Sequence, residues 1–325
     1  MIIARTPFRI SFFGGGTDYK EFYLNNNGGS VLSTTIDKYT YVSVRKLPKY
    51  FNYKNQVIYS KIESTNTVDE ICHPSVRETL KYMNLKDMRI SYDTDLPARA
   101  GLGSSSSFTV GMLNAFHTLK NEIKGKRELA EEAIYIEREL CSEAGGIQDQ
   151  IAVSYGGFNR INFDKSGFNV IPINIEYQRK KYLNENLMLF FTGFSRYSFE
   201  YAIEYKSNIK EKNNNLIEMR KLVDEAENIL YSNTDLNEFG KLLNYSWQLK
   251  RGISSVISTD FIDNIYKIGI KNGALGGKIL GAGGGGFILF YIEKCFQKKL
   301  REELKKLKCI PIKFEDIGTD IIYSL

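Results

Sequence analysis

In the stretch Pro97-Ala98-Arg99-Ala100-Gly101-Leu102-Gly103-Ser104-Ser105-Ser106-Ser107, two glycines and four serines run directly into the apolar series Phe108, Val110, Met112 and Leu113. Glycine lets a backbone turn its N–H groups inward at φ values other residues resist. The first turn of a helix adds unpaired donors at the positive end of its dipole. A phosphate group fits such a cradle. A serine-capped helix after a glycine turn gives the same local pattern, so the chemistry must be sought in other segments as well.

Three other segments carry candidates. Pro7-Phe8-Arg9-Ile10-Ser11-Phe12-Phe13-Gly14-Gly15-Gly16-Thr17-Asp18 is a strand entering a triple-glycine turn that ends in a polar pair. An acid at that place can reach sugar hydroxyls, or it can cap a helix starting near 19–23. Arg9 alternates with Phe8 and Ile10 and so leaves the strand on the opposite face; a buried arginine there needs an anionic partner. Asp149, in Gly146-Ile147-Gln148-Asp149-Gln150, is a candidate for that partner and equally for a helix N-cap. Glu137 and Glu139 lie just upstream, where either can be an ordinary exposed charge. Finally, Gly276-Gly277-Lys278-Ile279-Leu280-Gly281-Ala282-Gly283-Gly284-Gly285-Gly286 precedes an apolar strand. Four consecutive glycines are costly in chain entropy, so either something packs closely on that backbone or the segment is a plain turn.

The elements that must position these residues follow from periodicity. Strands are expected at 10–13, 39–47 and 88–93, helices from Ser104 and over 126–144, with Leu129, Ala133, Ile136 and Leu140 on one face and Gly145-Gly146 as the stop. A hairpin is expected at 157–163 and 168–173. After a polar stretch at 177–186 come a strand at 187–192, charged amphipathic helices to about 272, and a final strand at 287–292. The chain has 325 residues, enough for two units, which the polar stretch divides into 1–180 and 181–325. Charged residues make up 25% and hydrophobic residues 42%, an ordinary globular balance. No apolar run approaches a membrane span and no signal peptide is visible, so no membrane partner and a cytoplasmic location are expected. The net charge of +6 includes Lys298, Lys299, Arg301, Lys305, Lys306 and Lys308, which alternate with Leu300, Leu304 and Leu307. That pattern is a solvated helix face rather than a nucleic-acid stripe. Cys72, Cys141, Cys295 and Cys309 show no metal-ligand spacing and are expected to be buried free thiols.

Taken together and in this order, the three glycine motifs and the Gly-x-Gln-Asp-Gln carboxylate resemble the GHMP kinases, a family of small-molecule kinases, across nearly the whole chain. Asp149-Gln150, Tyr155-Gly156-Gly157-Phe158-Asn159-Arg160 and Phe191-Thr192-Gly193-Phe194-Ser195-Arg196 are similar to its branch acting on D-glycero-D-manno-heptose 7-phosphate, which also includes L-fucose kinase-like sequences. The resemblance implies an α+β fold of two lobes, the N-terminal one like ribosomal protein S5 domain 2 and the C-terminal one ferredoxin-like. It implies that Gly101, Leu102, Gly103, Ser104, Ser105 and Ser106 hold the phosphates of ATP, and that Ser105 and Glu137 ligate Mg²⁺, with Glu139 as the alternative. Arg99 stands where the family has glycine; it either alters the first turn or adds a phosphate contact.

By the same resemblance Asp149 is the catalytic carboxylate and Arg9 the cation beside it. Gly15, Gly16, Thr17, Asp18, Gly283 and Gly284 belong to the substrate site, although Gly15 and Gly16 replace the Glu-His of galactokinase. Arg196 is the candidate for a sugar phosphate group. The implied reaction moves the γ-phosphoryl of ATP to the anomeric hydroxyl of a sugar: heptose 7-phosphate, to give the 1,7-bisphosphate for nucleotide-activated heptose, or alternatively L-fucose. The implied partners are therefore a sugar phosphate and ATP; a homodimer is left open. A sensor that binds nucleotide and sugar without turnover is a rival that the intact Ser105, Glu137 and Asp149 disfavour. A dinucleotide-binding oxidoreductase is disfavoured by the lack of a strand, G-x-G-x-x-G, helix and distal acid.

Overall fold

The computed structural model describes residues 1–98, 100–193, 212–281 and 283–325, with no account of the Ser255 side chain. Its first lobe contains β1 (Ile2–Phe13), α1 (Lys20–Tyr23), β2 (Gly29–Lys46), β3 (Asn55–Ile58), β4 (Ile62–Thr65), α2 (Pro74–Tyr82) and β5 (Met88–Thr94). It continues with α3 (Ser104–Leu119), α4 (Lys126–Ile134), a π-helical turn (Tyr135–Leu140), α5 (Gln148–Tyr155), β6 (Phe158–Asp164) and β7 (Gly167–Pro172). The second lobe contains α6 (Tyr177–Glu185), β8 (Leu187–Gly193), α7 (Asn213–Tyr231), α8 (Asn237–Arg251), a 3₁₀ turn (Ser255–Ile257), α9 (Asp260–Lys271), β9 (Ala274–Ile279), β10 (Gly286–Ile292), α10 (Lys294–Glu303) and β11 (Lys308–Ile310). Two short strands, β12 (Phe314–Glu315) and β13 (Asp320–Ser324), end the chain.

Strand β2, 18 residues long, organises the first sheet. One edge pairs with β1 along its length; the other meets β6 at 29–34 and β5 at 40–46. The second sheet is antiparallel in the order β11-β8-β10-β9. Numbered within the lobe this is 4-1-3-2, the ferredoxin-like arrangement. The two sheets share a core in which Phe8, Ile10, Phe12 and Phe13 of β1 meet Leu222, Phe239, Leu243, Phe287, Leu289 and Tyr291 of the second lobe. Lys278 of β9 adds a polar clamp, donating to the Ser11 and Phe12 carbonyls at 3.0 and 2.8 Å.

Four features differ from the expectations. The division into 1–180 and 181–325 does not separate the sheets, because the last strands cross back: β12 pairs with β2, and β13 with the outer edge of β1. An open β1 edge would expose a row of unpaired backbone groups, which β13 removes. The helix expected over 126–144 turns π-helical at Tyr135 and stops at Leu140, beyond which Ser142 takes φ 53. The expected strand at 10–13 begins at Ile2. None of the four free cysteines is buried: Cys72 and Cys295 are exposed, Cys141 and Cys309 half-buried. No described helix is long and apolar enough to cross a membrane.

The junction of α3 and α4 carries a charge clamp. His117 places Nδ1 2.7 Å from Glu122 and Nε2 2.6 Å from Glu132. Burial alone would lower the imidazole pKa, but hydrogen bonds to Glu132 and Glu122 outweigh it and the net shift is upward. A neutral ring can donate to only one of two carboxylates. The contribution to stability is therefore complete below the unfolded value of about 6.5 and lost as pH rises through the raised folded value. The Tm gap between wild type and His117→Leu is expected to be widest near pH ~6 and to shrink toward pH ~9. An equal gap at both pH values would show the clamp to be packing alone.

Candidate active site

The first turn of α3 lies where the two sheets meet. Its N-cap is Gly103 at φ 76, with no side-chain cap hydrogen bond, so the serine-capped alternative does not apply. The first turn is pinned from below: Ser107 Oγ donates to the Pro7 and Gly103 carbonyls at 2.8 and 3.0 Å, and Arg9 N–H donates to Leu102 O at 3.0 Å. Leu102, Ser104 and Ser106 are buried, whereas Ser105 is exposed at the helix start. Arg99 lies outside the described residues.

Arg9 connects this loop to Asp149. Its Nε and Nη2 donate to Oδ1 and Oδ2 at 2.8 and 2.9 Å, and Nη1 donates to the Gly101 carbonyl at 2.8 Å. Bidentate pairing of this kind fixes both planes as well as the distance. Asp149 falls in the first turn of α5 rather than at its cap, and keeps about a quarter of its side chain exposed (24%) while that of Arg9 keeps 5%. A Cβ on Gly103 would come 3.2 Å from Arg9 Cγ and 3.5 Å from Asp149 Oδ2, so the loop lies directly on the ion pair.

Asp18 does not cap the helix that follows it; Tyr19 is the N-cap of α1 and makes no side-chain cap bond. Instead Asp18 turns inward, accepting from Gly16 N at 2.9 Å and from Gln148 N, at the start of α5, at 3.2 Å. Burial, and next the charge of Asp149, push its carboxyl above the usual range. Thr17 is structural, its hydroxyl donating to the Gly14 and Ser30 carbonyls. Gly15 faces Ser11 Oγ and Gln148 Nε2. Ser11 Oγ and Gln148 Oε1 are buried without a hydrogen-bond partner, and nothing in their spacing singled them out.

Of the two candidate glutamates, the structure buries Glu137 and exposes Glu139. Glu137 Oε2 accepts from Ser106 Oγ at 3.0 Å and from Gln150 Nε2, while Oε1 is left without a partner. Burial pushes this carboxyl up to about 7, against the pull of Arg138. Glu137 is thus joined to α3 through Ser106 rather than through Ser105.

The third glycine motif closes the other side. A Cβ on Gly101 would strike the Leu280 carbonyl, and one on Gly281 would come 2.5 Å from the Gly101 Cα, so the two loops pack backbone against backbone. Gly284 N–H donates to Ile257 O at 3.0 Å, and a Cβ on Gly283 would lie 2.8 Å from the Ile257 Cα, which seats this loop on the 3₁₀ turn. Lys250, in the last turn of α8, is also buried here and donates to the Gly281 carbonyl. Burial, followed by the charge of Arg9, lowers its pKa to about 8. A lysine ending an amphipathic helix looks in sequence like an ordinary complement to the helix dipole, so its type and position carry no signal of a site. Arg196 lies outside the described residues. Among the described residues no three acidic, histidine or cysteine side chains converge on a metal-sized space.

Residues 67–157 match the GHMP kinases N terminal domain and residues 219–309 the GHMP kinases C terminal domain. The D-glycero-alpha-D-manno-heptose 7-phosphate kinase of Campylobacter jejuni is 30% identical over 318 residues, 94% of this chain and 93% of that protein. The bifunctional fucokinase/GDP-fucose pyrophosphorylase of Arabidopsis thaliana is 26% identical over 65% of this chain but only 21% of its own length. The crystal structure of a D-glycero-D-manno-heptose 1-phosphate kinase from Bacteroides thetaiotaomicron superposes over all of both chains with a TM-score of 0.73 at 23% identity, a likeness of fold. The chain belongs to the GHMP kinase family and is an ATP-dependent kinase.

The seam between the glycine loops yields a test. Gly281 has φ +75, where a side chain adds strain on the order of 1–3 kcal/mol, and its Cβ would also force Gly101 away. Gly281→Ala is expected to lower the urea midpoint and raise KM for ATP together. A wild-type midpoint and KM would show the seam to be loose.

Proposed function

We propose that the protein transfers the γ-phosphoryl group of ATP to the anomeric hydroxyl of D-glycero-D-manno-heptose 7-phosphate, giving the 1,7-bisphosphate and ADP. The observation that carries this reading is the near end-to-end match to the Campylobacter jejuni heptose 7-phosphate kinase. The shorter match to a plant fucokinase region favours L-fucose as the second reading.

In the proposed reaction Asp149 accepts the proton of the anomeric hydroxyl as that oxygen bonds to the γ-phosphorus and the bond to the β,γ-bridging oxygen breaks. Arg9 holds both carboxylate oxygens in place and, through the Gly101 carbonyl, fixes the base relative to the phosphate loop. Catalysis of phosphoryl transfer is mostly positioning and charge stabilisation, and this link positions base and phosphates as one unit. The loop from Gly101 to Gly103 and the first turn of α3 through Ser106 bind the phosphates. Asp18, Gly15 and Gly16, beside the unpartnered Ser11 Oγ and Gln148 Oε1, form a polar wall suited to sugar hydroxyls.

The donor set also fits Mg²⁺. Glu137 Oε1 is a buried carboxylate oxygen without a partner, and Ser105 carries its hydroxyl at the helix start. Mg²⁺ is commonly held by one or two carboxylates plus substrate phosphates, so a cluster of acids is not required. When bound, the ion neutralises phosphate charge. Glu137→Gln is expected to raise the Mg²⁺ concentration needed for half-maximal activity at fixed ATP. An unchanged titration would remove Glu137 from the metal site.

Asp149→Asn is expected to lower kcat by roughly 10²- to 10⁴-fold, the usual span for a lost general base, with KM for ATP little changed. Near-normal kcat would end the assignment. ADP release over a panel containing heptose 7-phosphate, unphosphorylated heptose and L-fucose decides the acceptor: turnover on L-fucose without turnover on the 7-phosphate replaces the first reading by the second.

A further inference from the structure

Three basic side chains are buried around the seam between the glycine loops, and two of them are matched. Arg9 pairs with Asp149. Lys278 donates to two carbonyls, which satisfies both N–H groups of a neutral amine, and burial pushes its pKa well down. Lys250 is different. It is 8% exposed, and its Nζ reaches a single acceptor among the described residues, the Gly281 carbonyl. An ammonium has three hydrogens to donate, so two have no acceptor among the described residues. No carboxylate among the described residues forms an ion pair with it; Asp18 acts on it only from a distance, and Arg9 opposes it. A buried charge with neither counter-ion nor full hydrogen bonding is destabilising and calls for an anion.

The position of Lys250 indicates which anion. Its one acceptor, Gly281, is stacked on Gly101, whose carbonyl binds Arg9. Lys250 and Arg9 thus flank the same pair of loops, with Asp149 on the Arg9 side. We propose that Lys250 is a phosphate ligand of this cleft, its Nζ donating to an oxyanion either of the phosphoryl group being transferred or of the phosphate already on the acceptor. This rests on the sugar phosphate kinase reading above. The hydrogen bond to Gly281 holds the side chain in place, and the remaining hydrogens bind the anion. The buried charge becomes compensated only when substrate is present.

The test uses calorimetric titration of the full chain with three probes: Mg·AMPPNP, heptose 7-phosphate and inorganic phosphate. Lys250→Gln retains an N–H donor for the Gly281 carbonyl and loses the charge, whereas Lys250→Arg retains the charge. Lys250→Gln is expected to weaken binding of at least one probe by roughly 10- to 100-fold, the range for one hydrogen bond to a charged group, and Lys250→Arg to keep most of the affinity. Weakening of Mg·AMPPNP alone assigns the transferred phosphoryl; weakening of heptose 7-phosphate alone assigns the acceptor's phosphate. Thermal melting supplies the structural control: Lys250→Gln and Lys250→Met are expected to keep or raise Tm, because they remove a buried charge. Wild-type affinity of Lys250→Gln for all three probes would overturn the proposal, as would a Tm lowered in both neutral variants. Failure of wild-type protein to bind heptose 7-phosphate would overturn the acceptor reading instead, leaving Mg·AMPPNP and inorganic phosphate to decide on Lys250.

Discussion

The structure depends on one close approach, the packing of the Gly101 backbone on Leu280 and Gly281. No side chain larger than hydrogen fits at Gly101 or Gly281. Because the loops come from opposite lobes, this contact fixes the phosphate loop against the second lobe. Arg9 bonds to the carbonyl on one side of the seam and Lys250 to the carbonyl on the other, so both cations are fixed relative to it. The apolar packing of β1 against the helices of the second lobe then holds the halves together without specifying the local geometry.

Charge is distributed unevenly about this seam. Asp149 and Asp18 lie on the α5 side, each partnered by a cation or by backbone N–H groups. Lys250 and Lys278 lie on the side of the second lobe, held by carbonyls alone. Lys278 is matched as a neutral amine, so the uncompensated positive charge on the second-lobe side is that of Lys250, and an anionic phosphate would offset it. Electrostatic attraction and charge stabilisation are here properties of the same few groups.

The sequence was most legible where chemistry and periodicity coincide. The glycine loops, Asp149 at a helix start, and the hairpin of β6 and β7 are local patterns with a physical cause, and the structure contains them; the pairing of Arg9 with Asp149, though 140 positions apart, was legible because a buried arginine demands an anion. Other features depend on partners distant in the chain. The short β3 and β4 carry little alternation and are stabilised by pairing with each other and by β3 lying parallel to β5. The π turn at Tyr135–Leu140 continues the apolar spacing of α4, so no residue type announces it. Gln148 and Lys250 are polar residues at helix ends, ordinary in sequence until residues distant in the chain, Gly15 and Asp18 for the one and Gly281 for the other, come against them. The cysteines differ for a related reason: such side chains are usually inside, but Cys72 lies in a loop, Cys141 just past the π turn, Cys295 on α10 and Cys309 on the outer strand β11, where cover is partial or absent.

The return of β13 to β1 has a bearing on how the chain reaches this state. Ile2 pairs with Ser324 and Arg5 with Asp320, contacts that span nearly the whole sequence. Closing so long a loop is entropically expensive and slow, and such pairings cannot begin until β13 itself has been synthesised. During translation β1 can pair with β2 as a nascent hairpin, yet its other edge stays open while the second lobe is made. That edge is a template for strands of other chains. The five residues of β13 therefore cover the outer edge of β1 only after the whole second lobe has been made.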